Sequence, residues 1–206
     1  MLGNLFSASG IAELLLSLPA VLWAITFHEY CHGLAAKMLG DTTAERAGRL
    51  SLNPFDHLDP MGALCLLLFR FGWAKPVPID TRYFKHPKRD IIIVSLAGVA
   101  GNMLTAFVCA QLVRFVPGLF AGNWAAQQFI LLMIYINLGL AAFNLIPIPP
   151  LDGSRILYVL LPYQWMKYYY WLERYGMFVV VGLLVLGILP YIMRPIMALL
   201  LSILLI

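Results

Sequence analysis

The run His28-Glu29-Tyr30-Cys31-His32 places two imidazoles four residues apart, with a carboxylate beside the first. On a helix, positions i and i+4 share one face, so both rings can reach a single zinc ion at about 2.0–2.1 Å. Glu29 is turned by about 100° from His28. It flanks the metal and can take a proton from a water held there, which is hydrolytic chemistry. A catalytic zinc also needs a third protein ligand and an open position. Of the other histidines, His57 in "FDHLDP" and His86 in "FKHPKRD" lie in polar stretches expected near the surface, and His57 is read as structural. Asp152, in "FNLIPIPPLDGSRIL", is the only acidic residue between Asp90 and Glu173, and Pro147, Pro149 and Pro150 hold the chain before it extended. On position alone, Asp152 can serve equally as a ligand or as the N-cap of a helix beginning at Gly153–Ser154; the two roles can coexist.

These groups sit in an apolar chain. Of 206 residues, 62% are hydrophobic and 12% charged, about half the charged share of a soluble domain. Several runs reach the length of about 18 nearly uncharged residues that marks a membrane span. Ionisable groups placed at that depth cost a few kcal/mol each and are usually functional, so membrane burial lifts the motif above a chance match. The elements that must position it follow from the pattern. A first helix is predicted over 11–39, and a second and third over 90–116 and 124–146. A short helix is predicted over 154–161, and apolar C-terminal segments over 163–206. Residues 61–69 are too few to span. "GWAKPVPID", residues 72–80, reads as a strand or hairpin because Pro76 and Pro78 cannot continue a helix. The expected fold is an all-α integral membrane protein of four to six membrane helices with that short strand region. It forms one polytopic domain, with a catalytic core over about 11–161.

Charge orients the chain. Arg70, Lys75, Arg82, Lys85, Lys88 and Arg89 crowd the loop before the second helix, which puts that loop in the cytoplasm. The first helix then runs inward and carries His28 in its cytoplasmic half; the third returns Asp152 to the same side. The expected location is the plasma membrane, with the site toward the cytoplasm. Three cysteines at irregular apolar positions argue against a disulfide framework, and the net charge of +4 gives no reason to expect nucleic acid.

Taken together, "HEYCHGLAA", "GRLSLNPFDHLDPMG", "GWAKPVPID", "LAGVAGN" and "FNLIPIPPLDGSRIL" resemble the site-2 protease family, zinc metalloproteases that cut within the membrane. The similarity spans most of residues 20–160, and the chain resembles the compact branch lacking PDZ and CBS domains. It implies one zinc per chain held by His28, His32 and Asp152, with Glu29 activating the water. It also implies a transmembrane protein as substrate, cut in regulated intramembrane proteolysis. Asn144 matches the asparagine of the second motif and is a candidate donor to the oxyanion or substrate backbone; interhelical bonding is its alternative. Asn102 ends a G-x-x-x-N pattern and is a candidate for the same role or for helix packing. "GWAKPVPID" would lie beside an extended substrate, and the aromatic segment 163–175 with the following helix is a candidate gate. Two other functions fit a buried zinc site: hydrolysis of lipid amides or esters, and non-enzymatic zinc transport or sensing. The absence of a carboxylate or histidine within the apolar cores of the second and third helices disfavours transport.

Overall fold

The long apolar segments fold as helices that turn small and polar residues inward and large apolar ones outward. The protein is described here from a computed structural model, which defines residues 8–69, 72 and 74–204. Its helices are α1 (Ala8–Met38), α2 (Thr43–Arg46), α3 (Pro60–Phe69), α4 (Pro87–Phe115), α5 (Trp124–Asn144), α6 (Asp152–Leu160), α7 (Met166–Val185) and α8 (Leu189–Leu204). In α4 the buried face includes Ser95, Gly98, Gly101, Asn102, Thr105 and Ala106. Ile93, Leu96, Leu104, Phe107, Val108 and Leu112 point outward and stay exposed. Water would penalise that arrangement, whereas lipid tails are as apolar as leucine and leave small residues and polar groups to hold helices together.

Two helices, Pro87–Phe115 and Trp124–Asn144, are each long and apolar enough to cross a membrane. A third crossing is possible if Tyr163–Val185 and Leu189–Leu204 count as one span, broken by a 91° bend. The expected four to six spans are therefore not reached on length and composition among the described residues. In the C-terminal third, α7 runs unbroken from the aromatic stretch to Val185, and α8 follows as a separate helix that turns sharply away from it. The ten residues of α3 cover about 15 Å at 1.5 Å per residue, half the hydrocarbon thickness.

The core of the molecule is the packing of α1, α4 and α5 on one another, with α6 and α8 added against α4 and α5. Ala20, Ala24 and Ala36 of α1 and Ala106, Ala141 and Ala142 of α4 and α5 are fully buried. Leu200 and Leu204 of α8 close the apolar cluster formed by Val99, Ala106, Leu138 and Ala141. α1 and α4 run antiparallel: Trp23 meets Thr105, Ala24 meets Asn102, and His32 meets Val94.

The strand expected over 72–80 does not form. Trp73 lies outside the described residues; in the remainder there is one isolated antiparallel bridge, Leu58 to Ala74, and no strand. The reason is local. Pro76 and Pro78 have no N–H to offer a ladder, and the polar groups between them are claimed elsewhere. Lys75 N donates to His57 O at 2.9 Å. Buried Arg49 donates through Nη2 to Lys75 O at 2.5 Å and reaches toward Pro76 O. The segment is extended, but one backbone carbonyl and the side chains of Arg49 and Glu29, rather than a neighbouring strand, satisfy it.

α1 also approaches α4 closely at Gly101, where a Cβ would stand 2.5 Å from Cys31 Sγ. Gly101→Ala is expected to destabilise the protein by about 1–3 kcal/mol through overpacking. Adding Cys31→Ala, which removes the obstructing sulfur, should recover most of that loss. Thermal unfolding of the two variants in detergent tests the pair.

Candidate metal centre

His28 and His32 lie one turn apart on α1, and both rings turn toward the same point, where the first residue of α6 delivers Asp152. His28 Nε2 and His32 Nε2 are each 3.0 Å from Asp152 Oδ2 and 2.9 Å from each other. All three residues are buried, at 5%, 4% and 7% exposure. They form the one group of three or more histidine, cysteine or acidic residues among the described residues that could hold a metal ion.

The protons show why an ion belongs there. His32 Nδ1 lies 2.7 Å from the carbonyl oxygen of Val94. A carbonyl only accepts, so Nδ1 carries the hydrogen and Nε2 of the neutral ring presents a lone pair. His28 Nδ1 lies 2.7 Å from Asn102 Oδ1, another acceptor, with the same result. Two nitrogen lone pairs and a carboxylate oxygen thus converge within 3.0 Å. Left alone in a low-dielectric site, this set is unfavourable. A divalent cation removes the conflict: tetrahedral ligands at about 2.0–2.1 Å from zinc stand roughly 3.3 Å apart, close to the edges seen here. The donor set of two imidazoles and one carboxylate is a catalytic zinc type, with a fourth position left for water.

α4 supports this triangle from behind. A Cβ on Gly98 would fall 2.5–2.6 Å from atoms of both imidazoles, so only glycine lets both rings come this close to the helix. Asp152 is not a capping residue. Leu151 occupies the N-cap position of α6, and the Asp152 carboxylate is given to the imidazoles.

Glu29 stands beside the triangle, with Oε2 accepting from Val77 N at 2.9 Å. A cavity of about 330 Å³ opens at this point. Its walls include His28, Glu29, Ala74, Pro76, Asn144 and Met177. Asn144 donates to Leu140 O at 3.1 Å and retains a second amide hydrogen at the cavity wall. Asn102, for which helix packing was the alternative to a donor role, makes bonds between helices. It is fully buried behind His28, and its amide hydrogens go to Ala24 O and Asn137 Oδ1, each at 2.9 Å. His86 is exposed. His57 is 1% exposed rather than near the surface, and its Nε2 donates to Ser51 O at 2.8 Å. Both lie outside the metal group.

Three contributors escaped the reading from sequence: the Val94 carbonyl, the Val77 N–H and Asn137. Val77 carried a faint signal as a lone N–H between two prolines.

A buried three-ligand metal site, flanked by a carboxylate and framed by helices with lipid-compatible outer faces, defines a membrane metallohydrolase. Comparison with known proteins agrees. Peptidase family M50 matches residues 120–186, a stretch that contains Asp152 but not α1. "Putative zinc metalloprotease YwhC" of Bacillus subtilis is 38% identical over 177 residues, which is 84% of this chain and 81% of that protein. "Putative zinc metalloprotease MJ0611" of Methanocaldococcus jannaschii is 32% identical over 71% of each chain. "Putative zinc metalloprotease Rip2" of Mycolicibacterium smegmatis is 30% identical over 72% of this chain and 58% of its own. No solved structure matches. The chain belongs to peptidase family M50, the site-2 protease family of zinc metalloproteases.

Metal analysis of purified protein should give close to one zinc per chain, since a single cluster of suitable ligands is present among the described residues. Asp152→Ala should lose most of it. Gly98→Ala should also bind poorly, because its methyl group displaces both rings, whereas His86→Ala should keep the wild-type content.

Proposed function

We propose that this protein is an intramembrane zinc endopeptidase that hydrolyses peptide bonds in or near transmembrane segments of membrane proteins. The observation that carries this reading is the position of the metal triangle. It lies among α1, α4 and α6, and the neighbouring α4 and α5 are long and apolar enough to cross a membrane. In this reading His28, His32 and Asp152 hold the metal. When bound, zinc supplies Lewis acidity toward a peptide carbonyl and toward water.

The chain's own groups carry the remaining steps. Glu29 takes a proton from the attacking water and delivers it to the leaving amine nitrogen. Its hydrogen bond from Val77 N holds the carboxylate in one orientation, so the base is aimed before substrate arrives. The free hydrogen of Asn144 serves the oxyanion or the substrate backbone from the cavity wall. A peptide bond within a helix is shielded by its own hydrogen bonds, so the substrate enters locally unwound. Ala74 and Pro76, in the extended segment bordering the cavity, lie where an extended substrate would run. The basic residues of the loop before α4 favour a cytoplasmic site. Met177 and Val180 make α7 one wall of the cavity, which supports α7 as the gate.

Cleavage of a reconstituted transmembrane peptide tests the reading. Wild type should cut it, and Glu29→Gln should lower kcat by about 10²–10⁴-fold, the usual contribution of a general base, while keeping its zinc. Robust lipid hydrolysis with no peptide cleaved would establish the lipid alternative instead. Metal flux that survives Glu29→Gln would establish a transporter.

A further inference from the structure

The amide of Asn102 can face His28 in either of two ways, and only one is compatible with a metal on Nε2. With Oδ1 toward the ring, His28 Nδ1 is protonated and Nε2 offers its lone pair. With Nδ2 toward the ring, the tautomer reverses and Nε2 carries the hydrogen, closing the ligand position. His28 and Asn102 cannot select between these states alone, because each accommodates the other's choice.

The selection comes from α1 and α5 together: Ala24 O takes one Asn102 hydrogen and Asn137 the other. Asn137 is fully buried, and its Nδ2 donates to Met133 O, one turn back on its own helix, at 2.8 Å. A backbone carbonyl only accepts, so the Asn137 amide is fixed with Oδ1 pointing away from Met133. That oxygen accepts from Asn102 Nδ2 at 2.9 Å. The second hydrogen of Asn102 Nδ2 goes to Ala24 O, also at 2.9 Å. With Nδ2 committed to two acceptors, Oδ1 is left to receive the hydrogen of His28 Nδ1 at 2.7 Å. Each bond leaves the next group one choice. Met133 O fixes Asn137, Asn137 and Ala24 O fix Asn102, and Asn102 fixes the ring. With Asn102 and Asn137 both fully buried, reversing any member strands a donor or acceptor away from water, which is unfavourable.

We propose that Asn137 is a positioning residue of the metal centre: acting through Asn102, it holds His28 in the tautomer that presents Nε2 to the ion. The proposal rests on His28 being a metal ligand. His32 needs no such arrangement, because Val94 O already admits one tautomer. The two imidazoles of the motif are thus set by different means, one by backbone and one by a side-chain chain reaching a third helix.

The test is zinc affinity of the metal-free full-length protein in detergent, measured by competition with a chromophoric chelator. Removal of a partner that orients a metal-bound histidine typically costs 10–100-fold. Asn102→Leu should weaken zinc binding by about that factor, and Asn137→Leu, which leaves Ala24 O to hold the Asn102 amide, by a smaller but measurable one. Because Asn137 acts only through Asn102, the double variant should bind no more weakly than Asn102→Leu alone, a non-additivity that packing damage would not produce. Asn137→Asp, with its carboxyl protonated, can donate to Met133 O and accept from Asn102, and in that form should stay within about threefold of wild type. The visible spectrum of the cobalt-substituted protein should change in Asn137→Leu and revert in Asn137→Asp. Wild-type affinity in Asn137→Leu, or losses that multiply in the double variant, would overturn the proposal. If Asn137→Leu does not fold, Asn137→Ser is judged by the same criteria. His28→Ala separates the two levels of inference: unchanged zinc binding there removes His28 from the site and overturns both. Loss of zinc there, with Asn137→Leu unaffected, overturns the role of Asn137 alone.

Discussion

Two imidazole lone pairs and a carboxylate oxygen meet within 3.0 Å of one another, in a buried place with no hydrogen between them. That conflict organises the molecule. A divalent cation turns mutual repulsion into shared attraction, so the stability of this region and its metal affinity are one quantity. Everything packed around the triangle keeps the rings from turning away. Gly98 lets α4 lie against them, the Val94 carbonyl takes one ring hydrogen, and the Asn102–Asn137 pair takes the other. Asp152 arrives on the first residue of a helix whose N-cap is an apolar leucine, leaving its carboxylate for the imidazoles.

The same economy governs the irregular segment beside the site. At membrane depth an unsatisfied backbone group costs several kcal/mol, so non-helical chain survives there only when protein satisfies it. Prolines at 76 and 78 reduce the number of N–H groups that need a partner, and Glu29 takes the one between them. Arg49, buried, takes the carbonyl of Lys75. Glu29 therefore has two duties: its carboxylate is the proposed proton carrier and also the partner that lets Val77 sit where it does. A general base that doubles as a backbone acceptor is held in place by the element bordering the cavity.

What sequence could reveal follows from how local each cause is. His28, Glu29 and His32 were legible because one helical turn brings them together. Asp152 was legible as a lone acidic residue after a proline run, though its capping alternative was settled only by seeing Leu151 at the N-cap. The long helices were legible from apolar runs, and their observed bounds differ from those expected by only a few residues. The strand was misread because the rule that prolines break helices says nothing about where the freed carbonyls go, and here Arg49 takes one. The break between α7 and α8 was legible as separate apolar segments, but its 91° angle was not, because apolar composition is alike on both sides and carries no direction. Asn137 was hidden for a different reason. Its meaning depends on which end of an amide faces which neighbour, a choice made by Met133 O and Ala24 O on two different helices.

The arrangement also constrains how a substrate could reach the metal under the proposed function. α1, α4 and α6 hold the ligands and their supports at distances near 3 Å, and sliding any of them would dismantle the triangle. α5 is tied to the same network through Asn137. The extended segment is held to Glu29 and Arg49, so displacing it would release the base. Of the cavity walls, that leaves α7, which contributes Met177 and Val180 and carries no group of the metal network. Val180 packs with Ile146, Leu151 and Leu189, an apolar contact that can part and re-form without stranding a polar group. A helix that lines the cavity and bears no ligand is the element able to move while the metal stays fixed.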